Sequence, residues 1–244
     1  MEQSGSLVRA LQVLEAVSVL GDGVTAKAVA RRLGCPLPTV YRTLGTLVEQ
    51  GYLVRLHAVR GYGLGYKVAE LHRGLVAQVR PSAAVRGLLH EVHSAAGAAA
   101  YLAVLRDEVV VVAHVDLCAD HPGRLGLRVG EPAPPHATAL GRALLAGMDP
   151  AALTGIVGRG GLPAFTPRTV AHRSGLDREL HRVRSSGAAI AVEELHTGVA
   201  EIAVGRGSAA VGVAVRRADF TARRTELERA VREGADRIAE ELSA

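Results

Sequence analysis

The 244-residue sequence predicts an α+β fold with a three-helix N-terminal part and a larger C-terminal part. Apolar residues recur at helical spacing through residues 6–47, and helical and strand-like spacings follow one another after residue 82. The charge is also divided unequally, since residues 1–80 hold ten basic and five acidic side chains whereas residues 81–244 hold 19 of each. A basic N-terminal third ahead of a neutral remainder is typical of a polyanion-binding module attached to a second domain.

Apolar spacing predicts three consecutive helices in residues 6–50, each with one buried stripe. We expect the first helix to begin after the capping residue Ser6 and the second to begin after Thr25. Gly34 stands where a helix C-terminus favours a left-handed residue, so a tight turn separates the second helix from the third. The expected buried residues are Leu7, Ala10, Leu11, Leu14 and Val17 in the first helix, Ala26, Val29, Ala30 and Leu33 in the second, and Leu37, Val40, Leu44 and Leu47 in the third.

The exposed face of the third helix combines small, hydroxyl-bearing and cationic side chains. Such a face suits a major groove, because bulky groups block entry whereas Thr, Tyr and Arg reach phosphates and base edges. A short hairpin with a basic tip follows at residues 52–64, which completes the pattern of a winged helix-turn-helix over residues 1–65. The candidate DNA contacts are Thr25, Pro38, Thr39, Tyr41, Arg42, Thr43, Thr46, Arg55 and Arg60.

Residues 66–81 are expected to form a linker helix that ends before Pro81. Its apolar residues Val68, Leu71, Leu75 and Val79 form a narrow stripe. Two interpretations are open, since the stripe can pack on the same helix of a second copy or on its own domain.

Residues 82–244 are expected to form one α+β domain, because helices and antiparallel strands follow without a regular βαβ repeat. Asp107 and Glu108 mark a hairpin turn between two of the strands. The expected helices are 82–96, 139–146, 150–157, 175–186 and 221–242, and the expected strands are 101–106, 109–115, 125–129, 188–192, 199–204 and 209–216.

The chemistry-bearing residues of this part indicate binding rather than catalysis. His114, Asp116 and Cys118 would share one side of a strand, but a zinc site needs several converging ligands, so we interpret them as a strand end and loop. No nucleophile elbow, phosphate loop or spaced carboxylate pair stands in a catalytic context, and no catalytic residue, metal or cofactor is predicted. Two alternatives remain open: a helix-turn-helix fused to a small-molecule-modifying enzyme domain, and a ligand-independent architectural protein.

Two cysteines, no signal-peptide pattern and no long apolar run lead us to expect a cytoplasmic protein without a membrane partner.

Thr138 follows a proline-rich loop and can cap the helix that begins at Ala139. The N–H groups at such a helix start form a natural site for an anion or a carbonyl oxygen.

Short motifs occur along nearly the whole chain in an order and spacing that a known family shares. The N-terminal set is Ser-Leu-Val-Arg-Ala-Leu at 6–11, Pro-Thr-Val-Tyr-Arg-Thr-Leu at 38–44, Gly-Tyr at 51–52 and Gly-Tyr-Gly-Leu-Gly at 61–65. The C-terminal set is Arg-Val-Gly at 128–130, His-Ala-Thr-Ala-Leu-Gly-Arg-Ala-Leu-Leu-Ala at 136–146, Gly187, Glu-Glu at 193–194 and Gly-Val at 198–199. This pattern resembles the IclR family of bacterial transcription regulators.

The resemblance implies a repressor or activator with a GAF-like effector-binding domain at 82–244. It also implies a double-stranded, pseudo-palindromic DNA operator and assembly as a homodimer or homotetramer, partly through the linker helix. The positions that would line the effector pocket are Leu125, Ala133, Thr138, Ala139, Leu140, Val192 (or its neighbour Ala191), Glu201, Val213 and Val215.

The resemblance also bears on the class of effector. Members that sense small organic acids carry an Asp, a Cys and two serines at positions that correspond here to Ala191 or Val192, to Glu201, and to Val213 and Val215. A ligand carboxylate beside a charged Glu201 would be costly in a dry site. We therefore expect a larger, mainly apolar or aromatic effector whose hydroxyl or amine donates to Glu201.

Overall fold

The computed structural model describes residues 5–243, except for the side chain of Arg159. It contains two compact units that divide between Ala77 and Gln78. The division falls inside a helix, and each unit has its own apolar core. No helix in the described residues is both long and apolar enough to cross a membrane.

The first unit is three helices followed by a hairpin. Thr25 caps the second helix by accepting from the Ala28 N–H, and Gly34 ends it in the left-handed conformation, as the sequence predicts. The elements are α1 (Ser6–Leu20), α2 (Ala26–Leu33), α3 (Leu37–Glu49), β1 (Leu53–Leu56) and β2 (Gly61–Leu64), after which α4 (Tyr66–Val79) begins.

The predicted buried face of α1 is wrong at its N-terminal half. Leu7 and Leu11 are 72% and 53% exposed, whereas Val13, Ala16 and Val17 are buried. The helix also starts one residue early, with Gly5 rather than Ser6 at the N-cap. The sequence of α1 contains two overlapping apolar stripes, and the packing of α2 and α3 determines which of them is buried.

The second unit packs helices on both faces of a five-stranded antiparallel sheet of order β4-β3-β7-β6-β5. Asp107 and Glu108 form the predicted two-residue turn, with positive φ at both positions. The elements are α5 (Ala83–Ala96), β3 (Ala99–Arg106), β4 (Val109–Asp116), α6 (Ala139–Ala146), α7 (Pro150–Gly160), α8 (Arg173–Ser186), β5 (Ala189–Val192), β6 (Val199–Arg206), β7 (Ala209–Arg216) and α9 (Arg217–Ser243).

The predicted strand at 125–129 is not formed. Residues 117–138 are an irregular segment, which bonds to the edge strand β4 where Val112 N donates to the Glu131 carbonyl at 3.0 Å and Ala133 N donates to the Val110 carbonyl at 2.8 Å. Gly126, inside the predicted strand, takes a positive φ value, which an extended strand does not permit.

The two faces of the sheet have different coverings. One face packs under α5 and α9 and includes Ile202, Val213 and Val215. The other face, which we call the loop face, packs under α6 and the segment 117–138 and includes Tyr101, Ala191 and Ala214. Residues alternate between the faces along each strand, so adjacent positions belong to different cores.

Candidate DNA-binding surface and effector site

Helix α3 buries one apolar stripe and leaves its other side to solvent. Val40, Leu44 and Leu47 are buried in the core of the first unit. Tyr41 and Arg42 are exposed, and among the described residues the Arg42 guanidinium has no hydrogen bond or ion pair. An exposed cation without a protein partner is free to contact phosphate or a base edge.

The threonine hydroxyls near this face already have defined hydrogen bonds. Thr43 Oγ1 donates to the Thr39 carbonyl at 3.0 Å, and Thr46 Oγ1 donates to the Arg42 carbonyl at 3.2 Å. Their protons therefore point into the helix, and their lone pairs remain as acceptors. The Thr25 hydroxyl has the opposite polarity, because it accepts from the Ala28 N–H at 3.3 Å and keeps its proton to donate.

The hairpin is fixed to the helical part of the same unit. Gly23 N donates to the Tyr62 carbonyl at 3.0 Å, and Tyr62 N donates to the Val24 carbonyl at 2.9 Å. A Cβ on Gly61 would lie 2.1 Å from the Gly23 carbonyl oxygen, so only glycine fits at this approach. The fixed hairpin presents Arg55 and Arg60, which are exposed.

In the second unit, Thr138 caps α6 as predicted. Its hydroxyl accepts from the Gly141 N–H at 3.0 Å and donates to the Pro134 carbonyl at 2.9 Å. The Ala139 N–H donates to Glu201 Oε2 at 3.1 Å. The helix N-terminus thus binds a carboxyl group of the protein itself.

Glu201 is 4% exposed and lies on the loop face. Burial raises its pKa to about 8, with the Glu194 charge adding to the shift, while the Ala139 N–H and Arg142 oppose it. The side chain is therefore mostly a neutral carboxylic acid at pH 7. A neutral acid both donates and accepts, so the charge that would repel a ligand carboxylate is largely absent.

The structure gathers only part of the predicted effector set. Leu125, Ala133, Ala139 and Leu140 pack together in the core of the loop face, next to Thr138 and on the same side as Glu201. Val192, Val213 and Val215 belong to the other face, under α5 and α9.

Each of these three valines is adjacent in sequence to a residue that does lie on the same face of the sheet as Glu201. Ala191 and Ala214 are the register partners of Glu201 on the neighbouring strands. Gly212 is on that face as well, since a Cβ there would contact Leu140. A shift of one residue moves a strand position to the opposite face. The predicted effector contacts at Val192, Val213 and Val215 therefore do not lie beside Glu201.

Two important polar residues were missed from the sequence. The Tyr101 hydroxyl accepts from the N–H groups of Arg124 and Leu125 at 3.0 and 3.3 Å, and so holds the irregular segment against the loop face. Burial raises the pKa of Tyr101, which keeps the hydroxyl neutral. Its signal in the sequence is a single aromatic residue in an alanine-rich strand.

Arg142 is the second missed residue and is 1% exposed. Its guanidinium donates to the His136 carbonyl at 2.9 Å and to the Ile190 carbonyl at 3.2 Å, and it forms an ion pair with Glu194. The adjacent Glu193 instead pairs with Arg217 at 2.8 Å. A single charge in an otherwise apolar helix was the available signal for a buried ion pair.

The histidine and cysteine pattern on β4 does not form a cluster. His114 and Asp116 lie in the strand, and Cys118 lies beyond its end on an exposed part of the irregular segment. Within residues 5–243, no three His, Cys, Asp or Glu side chains converge in a way that would hold a metal ion.

Comparison with known proteins matches both units to one family. The IclR helix-turn-helix domain matches residues 6–57, and the bacterial transcriptional regulator IclR C-terminal domain matches residues 76–240. The regulator XynR of Escherichia coli is 29% identical over 202 residues, covering 82% of this chain and 79% of the relative. The glycerol operon regulatory protein of Streptomyces coelicolor is 30% identical over 205 residues, covering 83% and 76%.

Solved structures agree over almost the full length. An IclR transcriptional regulator from Alicyclobacillus acidocaldarius has a TM-score of 0.70 and 25% identity, covering 98% of each chain. An IclR homologue from Microbacterium hydrocarbonoxydans, complexed with 4-hydroxybenzoate, has a TM-score of 0.72 and 25% identity, covering 98% and 99%. This chain therefore belongs to the IclR family of bacterial transcriptional regulators, with a helix-turn-helix DNA-binding domain and a ligand-binding C-terminal domain.

Proposed function

We propose that this regulator binds a pseudo-palindromic operator as a homodimer or homotetramer and acts as a repressor without catalytic activity. An aromatic or mainly apolar effector binds on the loop face and changes operator affinity. The protein works in the cytoplasm, where the operator lies. The observation that carries the effector part of this proposal is the buried Glu201 carboxyl at the start of α6, whose register partners on the neighbouring strands are both alanine.

Small side chains surround Glu201 on this face. Ala191 and Ala214 flank Glu201, and Ala203 and Gly212 follow on the same side of β6 and β7. Alanine and glycine side chains offer no hydrogen bonds, so the ligand body is expected to be apolar. The bound 4-hydroxybenzoate of the Microbacterium homologue supports an aromatic ligand.

Glu201 would supply the polar contact. As a neutral acid it can donate to a carboxylate or carbonyl oxygen and can also accept from a hydroxyl. A ligand bonded to the other oxygen of Glu201 shares this carboxyl group with the Ala139 N–H at the start of α6. Through the shared group, ligand binding would shift the start of α6 and the proline-rich loop before it, and thereby favour one state of the domain over another.

Exposed apolar side chains on two helices support assembly through apolar surfaces. In the single chain, Leu7 and Leu11 of α1 and Tyr66 and Leu71 of α4 are all more than half exposed. Contiguous exposed apolar residues mark association surfaces, and a two-fold dimer pairs such a surface with itself. Of the predicted dimer stripe on α4, Leu71 is exposed, Val68 and Leu75 are half-buried, and Val79 is buried in the single chain.

Calorimetry on the full chain tests the effector class. We expect 4-hydroxybenzoate or a related aromatic hydroxy acid to bind at least tenfold more tightly than acetate or glyoxylate. The variant Glu201→Gln keeps a neutral amide of similar shape and should retain binding of the aromatic compound at pH 6 within a few fold. Tight binding of a two- to four-carbon carboxylate, undiminished in Glu201→Gln, would contradict the proposal.

The DNA-binding half is tested by footprinting the promoter upstream of the protein's own gene. A protected site with two-fold symmetry, whose protection changes on addition of the aromatic compound, is expected. A protected site that lacks two-fold symmetry contradicts the dimeric arrangement.

A further inference from the structure

A second concave site adjoins the loop face, between the β3–β4 hairpin, the proline-rich segment 132–136 and the end of α7, and shares Ala133 with the predicted effector residues. It has a volume of about 490 Å³ and is lined mainly by apolar groups, including Val109, Pro134, Ile156 and Phe165. This volume lies within the range of small-molecule sites in proteins, about 300–1,000 Å³. Glu201 is not among the residues that line it.

One wall of this groove contains a buried ring nitrogen, Nδ1 of His136, that has no hydrogen-bond partner among the described residues. His136 is 2% exposed, and its Nε2 donates to the Pro163 carbonyl at 2.9 Å. Burial lowers the pKa of His136, so the ring is neutral and its Nδ1 carries a lone pair. Among the described residues, no donor reaches Nδ1. A buried acceptor without a donor is unfavourable, and a ligand that brings one gains its full hydrogen bond.

The rest of the lining defines what kind of molecule fits. The Phe165 ring lies 5.8 Å from the imidazole with an interplanar angle of 30°, and Phe165 is 45% exposed. A flat ring can pack on this pair and on the neighbouring prolines. Asp107 lines the hairpin end of the groove, so a negatively charged ligand is disfavoured there.

We propose that this groove is a second small-molecule site, which takes a neutral aromatic compound whose hydroxyl or N–H group donates to Nδ1 of His136. Phenols and indoles have this chemistry. The ligand class differs from that of the loop face, where a neutral carboxyl group accommodates an acid.

The position of the groove also links it to the effector site. His136 lies two residues before the cap of α6, and its carbonyl accepts from the buried Arg142 at 2.9 Å. A ligand that packs on His136 therefore contacts the segment that places Ala139 against Glu201. Binding in the groove is expected to change effector affinity on the loop face, and the reverse change must then be equal.

The test compares 4-ethylphenol with 4-ethylanisole, which has the same ring but lacks the donor, by calorimetry on the full chain. We expect the phenol to bind about tenfold more tightly, which is the effect of one hydrogen bond to a buried acceptor. His136→Gln keeps a donor near the position of Nε2 but removes the Nδ1 acceptor, and should abolish this preference. His136→Asn keeps an acceptor near Nδ1 and should preserve it.

Crystals soaked in 4-bromophenol locate the site, because the anomalous signal of bromine marks its position. A bromine peak in the groove, retained in Glu201→Gln crystals, is expected. A peak on the loop face alone, no binding of either compound at millimolar concentration, or an undiminished phenol preference in His136→Gln would overturn the proposal. Because Glu201→Gln leaves the groove intact, these outcomes are separate from failure of the proposed effector site.

Discussion

The neutral state of Glu201 predicts a specific dependence of stability on pH. Its pKa is about 8 in the folded protein, against 4.5 for an unperturbed glutamate. Folding therefore favours the protonated form, and its contribution to stability is complete below pH 4.5, declines as the pH rises, and is lost above pH 8. At about 1.4 kcal/mol per pKa unit, the wild-type protein loses about 4–5 kcal/mol of unfolding free energy across this range.

The variant Glu201→Gln removes the titration and keeps the geometry. A glutamine side-chain oxygen can still accept from the Ala139 N–H, so the variant resembles the protonated wild type. At pH 5 the two proteins should differ by less than about 1.5 kcal/mol, the net effect of one hydrogen bond. At pH 9 the variant should be more stable by several kcal/mol.

Urea unfolding of the full chain, followed by far-ultraviolet circular dichroism from pH 5 to pH 9, measures this difference. Subtracting the variant from the wild type at each pH cancels the titration of histidines and other shared groups. Glu233→Gln, on an exposed part of α9, provides a matched control for the removal of one carboxyl group from the surface. A constant difference for Glu201→Gln, or a wild type that gains stability relative to it as pH rises, would refute the reasoning.

Three further predictions follow from the described contacts. Arg42→Ala should weaken operator binding by about 1–3 kcal/mol in gel-shift titrations if Arg42 reads a base. If Arg42 contacts phosphate instead, the slope of log affinity against log salt concentration should fall in magnitude by about one. Unchanged affinity contradicts this recognition face. Arg142→Met should destabilise the second unit by about 3–5 kcal/mol in thermal unfolding, because Glu194 is left buried without its cationic partner. Adding Glu194→Gln should recover part of the loss, and additive losses in the double variant would contradict the ion-pair account. Leu71→Glu should shift the mass measured by light scattering toward the monomer at micromolar concentration, and Leu11→Glu tests the exposed face of α1 in the same way. An unchanged mass in both variants excludes these surfaces as subunit interfaces.

Local signals determined much of this fold because they act between near neighbours in the chain. The Thr25 cap and Gly34 end bound α2 at the predicted residues, and Asp107 and Glu108 form the predicted turn. The strand at 209–216 also matches its prediction, since a run of Val, Ala and Gly residues ends at Arg216. Hydroxyl caps, left-handed glycines and two-residue turns depend on a few consecutive residues, so one sequence suffices to find them.

The direction in which an element faces was decided only by tertiary packing. Both apolar stripes of α1 satisfy helical spacing, and only the arrangement of α2 and α3 leaves Leu7 and Leu11 in solvent. On β7, Val213 and Ala214 are adjacent in sequence but belong to opposite cores. Strand periodicity separates the two sets without revealing which of them faces α6.

The chemistry of the site depends on the same packing. The sequence shows a glutamate at position 201, but its neutral state requires the burial that the sheet, α6 and the irregular segment produce together. The pairing of Arg142 with Glu194 joins residues 52 positions apart. Charge state and long-range pairing are set by the local dielectric and by distance in space, and these exist only once the chain has folded.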